Sequence, residues 1–395
     1  MKRVAFVVQR CGLEVNGGSE KACLDIARRL GGRVDAEILT TCALDYRTWA
    51  NHFPPGVTQV AGATVRRFLV SEPRDRRFAA MSEQLHAKLP GVGIAETERW
   101  MRAQGPWSPD LLAWIAAHRD DYDAFFFFTY LYATTYYGLP EVAERAFLVP
   151  TAHDEWTLEL PIWDRFFALP RGFVFLTAEE RAVLRRRFPK LALPGPVVGV
   201  GVDAPERCDD TAFGRRFGIE GSFLLYVGRI EPAKGCDVLF RHYARWRETR
   251  ADAPPLVLIG GAFMDVPKMT GVVSLGFVDE QTKWEALYGC QCFVMPSPYE
   301  SLSIALLEAW HAGRPVLVNG ASEVLVGQTR RAHGGLWYRN ADEFGAALDR
   351  LLEPEIGATL GRQGRDFVER EVCWDRITDA YVGLAEGSWT PPAQR

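Results

Sequence analysis

Along this chain, short runs of consecutive apolar residues alternate with stretches whose apolar positions recur every three or four residues. Residues 4–8 form the first run. Behind it, Ala22, Cys23, Ile26, Ala27 and Leu30 fall at helical spacing, with Ser19 placed to cap the helix. Further strands are predicted at 36–40, 65–70, 124–128, 147–149 and 172–176, with helices at 109–119 and 178–187 among them. Uninterrupted apolar strands, rather than alternating ones, are what a parallel sheet covered on both faces requires.

Leu193-Pro194-Gly195-Pro196 is the strongest break in this rhythm and reads as an interdomain connection. The alternation then restarts, with strands predicted at 223–227, 256–260, 272–276, 292–295 and 315–319. Helices are predicted at 236–247, 282–289, 301–311, 341–352 and 356–368. A length of 395 residues suits two domains. The pattern therefore predicts an α/β protein with two doubly wound, Rossmann-like domains facing a cleft. In such sheets ligands bind beyond the carboxyl ends of the strands.

Composition narrows the class. A net charge of −4 gives no global basic field, which argues against a nucleic-acid partner. The eight Cys form no CxxC pair, so neither a zinc ligand set nor a disulfide framework is expected. Scattered thiols in apolar runs suit a reduced, cytoplasmic protein. The amino terminus lacks a signal-peptide pattern. The apolar window at 124–139, with four consecutive Phe, is interrupted by Thr129, Thr134 and Thr135 and is too short to span a bilayer.

Two loops carry the chemistry. In the first, Pro296-Ser297-Pro298-Tyr299-Glu300-Ser301-Leu302-Ser303 leads from a strand into a helix that bears Glu308. Two carboxylates can accept hydrogen bonds from hydroxyls on separate parts of one ligand. Between them, the free N–H groups of Ser301, Leu302 and Ser303 and the helix dipole favour a phosphate. Hydroxyl, phosphate, hydroxyl is the layout of a nucleotide-diphosphate sugar. A capping acid plus a surface acid would explain the same pair equally simply. In the second loop, Val227-Gly228-Arg229-Ile230-Glu231-Pro232-Ala233-Lys234-Gly235, a strand again runs into a helix. Gly228 permits close backbone approach, and Arg229 and Lys234 are placed to neutralise a diphosphate leaving group.

Together and in this order, these loops resemble those of the retaining nucleotide-sugar glycosyltransferases of family GT4, which have the two-domain GT-B fold. The resemblance covers nearly the whole chain and is strongest at 223–317. It implies that Glu300 contacts the donor sugar, Glu308 the ribose, and Arg229 and Lys234 the diphosphate. It places the 275–278 loop against the base, with Val278 as the backbone contact. Gly17 and Gly18, in Asn16-Gly17-Gly18-Ser19-Glu20, match the family's glycine-rich loop. His153, in Thr151-Ala152-His153-Asp154, matches its sugar-contacting histidine, and Asp154 is a candidate to orient that ring. Many relatives have Gly where this chain has Ser303, which bears on donor identity rather than on the reaction. The last helix, read at 367–384, is expected to cross back. Residues 1–195 with 370–395 then form an acceptor-binding domain, and 196–369 a donor-binding domain.

The resemblance implies transfer from a UDP- or GDP-linked sugar to a glycan or lipid-linked acceptor with retention, in bacterial surface glycan or glycolipid assembly. No metal or other cofactor is expected. Arg66, Arg67, Arg74, Arg76 and Arg77, and separately Arg185, Arg186, Arg187 and Lys190, form basic clusters that suit peripheral contact with anionic lipid at the inner face of a membrane. Asp121-Tyr122-Asp123 stands at the entry of a strand, the wrong end for a metal-holding D-x-D. The rival readings are a GT-B epimerase, a phosphorylase, and a non-catalytic nucleotide-sugar-binding subunit.

Overall fold

A computed structural model describes residues 1–205, 208–219, 221–250 and 252–389. The chain divides into two compact units: Met1–Val200 together with the segment from Asp375, and Gly201–Trp374. The Pro-Gly-Pro break belongs to the first unit. Pro194 O and Pro196 O accept from Phe173 N and Phe175 N, so this stretch lies along a strand.

The first unit holds seven strands: β1 (Arg3–Val7), β2 (Asp35–Thr41), β3 (Gly56–Val60), β4 (Ala63–Phe68), β5 (Ala124–Phe128), β6 (Ala146–Val149) and β7 (Gly172–Phe173). Their order is β3-β4-β2-β1-β5-β6-β7, and all pairs are parallel except β3 with β4. The four-Phe run is the middle of this core, not a membrane segment. Phe125, Phe126, Phe127 and Phe128 are all fully buried. Phe126 stacks on Phe6 and Phe147 with centroids 5.2 and 5.4 Å away, and Tyr381 meets it edge-on at 4.9 Å. Burying a Phe side chain contributes about 1.5–3 kcal/mol, so this strand anchors the unit.

Tyr381 belongs to the last helix, which differs from the single helix expected at 367–384. One helix, Pro354–Glu371, ends at Val372, and a new one runs over Trp374–Glu386. Val372 has non-helical φ/ψ of −109° and 51°, so the chain turns there. Arg33 secures the second helix through Asp379 at 2.7 Å and Thr378 at 3.0 Å.

The second unit holds β8 (Leu224–Val227), β9 (Leu256–Ile259), β10 (Val272–Ser274), β11 (Cys292–Met295), β12 (Val316–Asn319) and β13 (Gly335–Tyr338). The order is β10-β9-β8-β11-β12-β13, parallel throughout. Strand β13 and the crossover helix Glu323–Ala332 before it were not anticipated. Neither was the edge strand β3, which carries no apolar run because most of it faces water. Among the described residues no helix is long and apolar enough to cross a membrane.

Candidate active site

In the second unit, the predicted cations and the first predicted acid come together at the carboxyl ends of two neighbouring strands. Strand β8 ends at Val227, and Gly228 follows at φ +155°. A Cβ on Gly260 would stand 2.0 Å from Gly228 O, so the backbones after β8 and β9 touch. A short 3-10 turn, Pro232–Lys234, then leads to Gly235 at φ +72°. A Cβ there would lie 2.3 Å from Pro296 O, so only glycine lets the Lys234 turn rest on the loop that follows β11. This contact delivers Lys234 Nζ to Glu300 Oε1 at 2.7 Å. Arg229 pairs with Glu231 at 3.2 Å. Each cation therefore faces an acid.

The helix after Glu300 begins later than expected. Ser303, extended at φ −108° and ψ 107°, is its N-cap and accepts from Leu306 N at 3.3 Å, and the helix runs Ile304–His311. The N–H groups of Ser301 and Leu302 thus belong to the loop, and the hydroxyl that distinguishes Ser303 from glycine is engaged in capping. Glu308 is buried and receives Lys283 Nζ at 2.8 Å. Burial pulls the Lys283 ammonium down, but Glu308 and Glu280 outweigh it and its pKa is raised. Lys283 was missed because nothing local marks it. It sits on the helix Glu280–Gly289, capped by Asp279, whose side chain accepts from Thr282 N at 2.7 Å. Val278, just before that cap, packs partly buried on the core beside the exposed Phe277.

In the first unit, the glycine-rich loop caps the helix Gly18–Arg29 with Gly17 and not with Ser19. Ser19 Oγ instead donates to Glu20 Oε2 at 2.9 Å. Glu20 folds back under the loop and accepts from Gln9 Nε2 at 2.9 Å and from Arg10 Nε at 3.0 Å. A Cβ on Gly17 would lie 2.1 Å from Glu20 Oε2, whereas one on Gly18 would meet nothing within 4 Å. Gly17 is therefore fixed by the protein's own packing, and Gly18 leaves an open approach to the backbone. The buried Arg10–Glu20 pair was not anticipated.

His153 follows β6. Asp154 is exposed, and Nδ1 of the His153 ring lies 3.3 Å from Glu155 Oε1, an ion-pair distance for a protonated ring. Beneath it Glu180, fully buried, accepts from Ala152 N at 2.8 Å and Leu176 N at 2.6 Å. Burial pushes this carboxyl up to about 8, opposed by those amides.

The first basic cluster is not a single charged face. Arg67 is buried, Arg66 pairs with Glu37 and Arg77 with Asp75. In the second cluster Arg185, Arg186 and Lys190 are exposed. Asp123 accepts from Lys2 Nζ and Arg3 N, tying the chain's start to the entry of β5. Among the described residues no three His, Cys, Asp or Glu gather as metal ligands.

Two parallel α/β units, each with loops at its strand ends, match the GT-B fold seen in glycosyltransferase structures. Residues 221–354 match the family described as glycosyl transferases group 1. A D-inositol 3-phosphate glycosyltransferase of Stackebrandtia nassauensis is 27% identical, over 97% of this chain and 90% of that relative. Among solved structures, sucrose-phosphate synthase from Thermosynechococcus elongatus superimposes with a TM-score of 0.72 at 17% identity, over 98% of this chain and 99% of that one. HepE of Anabaena, in complex with UDP-glucose, gives 0.66 at 14% identity, over 98% and 100%.

Proposed function

We propose that this enzyme transfers a sugar from a UDP- or GDP-linked donor to an acceptor hydroxyl with retention of configuration, in bacterial surface glycan or glycolipid assembly. The observation that carries the reading is the Lys234–Glu300 pair at the ends of β8 and β11. A cation and a carboxylate 2.7 Å apart suit a ligand that carries phosphate beside sugar hydroxyls. The complex of HepE with UDP-glucose is consistent with this. The donor occupies the second unit, with Glu300 on the sugar, Glu308 on the ribose and Val278 beside the base. The first unit, with Gly17, Gly18 and His153, serves the acceptor and the reacting sugar.

As the glycosidic bond to the diphosphate breaks, negative charge grows on the leaving oxygen. Lys234, Arg229 and the start of the helix Ile304–His311 stabilise it. The acceptor oxygen bonds to the anomeric carbon on the face the diphosphate leaves, and its proton passes to the departing phosphate oxygen. These cations are built in, so the scheme needs no metal. A thermal-shift screen with UDP, GDP and their sugar conjugates, run in EDTA, tests the donor. A donor at 100 times its Kd should add about 2.7 kcal/mol of stability, and a shift that appears only when a divalent metal is restored would overturn the metal-free scheme.

The exposed Arg185, Arg186 and Lys190 are the surface through which the chain would reach a lipid-linked acceptor. Co-sedimentation with anionic vesicles at low salt should be lost on reversing these three charges. Equal sedimentation of the reversed variant removes the assignment.

A further inference from the structure

The carboxyl ends of β5, β6 and β7 hold a constellation that the transfer scheme does not use. Thr129 and Thr151, which follow β5 and β6, have φ of +67° and +50°. A β-branched residue at positive φ is an outlier, and such strain persists only where the surroundings over-determine it. Here they do. The two hydroxyls bond at 3.0 Å, and Thr129 N and Tyr130 N extend the ladder onto Val149 O and Pro150 O. Immediately after Thr151, Ala152 N donates to Glu180 Oε1 at 2.8 Å.

Glu180 does more than cap its own helix. Its backbone N–H donates to the N-cap Thr177, and its Oε2 accepts from Leu176 N, both within the Ala178–Arg187 helix start. The bond to Ala152 reaches 28 residues away, to the segment that carries His153. A fully buried acid is costly to ionise. Amides converge on it from beyond two neighbouring strands, so one side chain fixes both ends.

We infer that Glu180 is a positioning residue: through the Ala152 amide it locks the strained Thr151–Ala152 turn and so sets where His153 stands for the reaction. The inference rests on the proposed role of His153 beside the donor sugar. Glu180→Gln keeps the volume but replaces one acceptor oxygen with a donor, so the amides on that oxygen lose their partner.

The test is a double-mutant cycle of Glu180→Gln and His153→Ala, read as nucleoside-diphosphate release from UDP-glucose and from GDP-mannose. Glu180→Gln should lower kcat/KM by about tenfold or more when His153 is present. In the His153→Ala background it should change the rate by no more than about twofold. An equal loss in both backgrounds means that Glu180 only supports the fold, and overturns the inference. Unchanged release by His153→Ala alone instead sinks the role given to His153. Proton–nitrogen spectra add a readout that needs no donor, with the His153 ring signal identified by its absence in His153→Ala. Glu180→Gln should displace that signal and leave those of the other histidines in place. An undisplaced His153 signal overturns the inference.

Discussion

Glu300→Ala should lower sugar transfer by about two to three orders of magnitude while leaving the folded state nearly as stable as before. The asymmetry follows from where the residue stands. Glu300 lies in the loop between β11 and the helix Ile304–His311, with a side chain 12% exposed, and its partner Lys234 is 24% exposed. Losing the carboxylate leaves Lys234 within reach of water, so little stability is lost, as for other solvent-accessible ion pairs. Under the proposed function, transfer suffers because a positioned acceptor for the sugar hydroxyls is gone and Lys234 is no longer held over the phosphate. Initial rates and a denaturation curve on the same preparation check both halves. A rate within about threefold of wild type would remove Glu300 from the site. A large loss of stability would show that the rate loss reflects unfolding.

The parts that could be read from the sequence are those whose cause is local. Buried parallel strands announce themselves as apolar runs, and the helix at Ala178–Arg187 lies where its pattern puts it. Arg229, Lys234 and Glu300 follow strand ends, where an α/β fold exposes its loops. What could not be read depends on contacts between distant residues. Glu180 looks like an ordinary third residue of a helix until Ala152 is brought against it. Glu20 looks like a first-turn acid until Arg10 and Gln9 close on it from the end of β1. The start of the helix after Glu300 was misplaced for a different reason. Ser301 and Ser303 are both able caps, and the choice between them falls to the backbone, which is extended at Ser303. Edge strand β3 has no buried face, so it leaves no apolar pattern to detect.

Glu308 makes the opposite prediction to Glu300, because it is buried with its partner. Its side chain is 6% exposed and that of Lys283 is 11% exposed, with 2.8 Å between Nζ and Oε1. Glu308→Leu strands the Lys283 ammonium in the interior with only the surface residue Glu280 to meet it, and should cost about 3–5 kcal/mol. Under the proposed ribose contact, donor binding should fall as well, since those hydroxyls lose their acceptor. The two losses can be separated. In the double variant Lys283→Met with Glu308→Leu, both charges are replaced by apolar groups of similar volume, a change that is often neutral for buried pairs. Denaturant unfolding should therefore show stability returning towards wild type in the double variant. Calorimetric titration with the donor found in the thermal-shift screen should show binding still weak. If the double variant is as unstable as Glu308→Leu, the single variant's instability does not come from a stranded charge. If it binds donor as wild type does, Glu308 serves the fold alone and the ribose is held elsewhere.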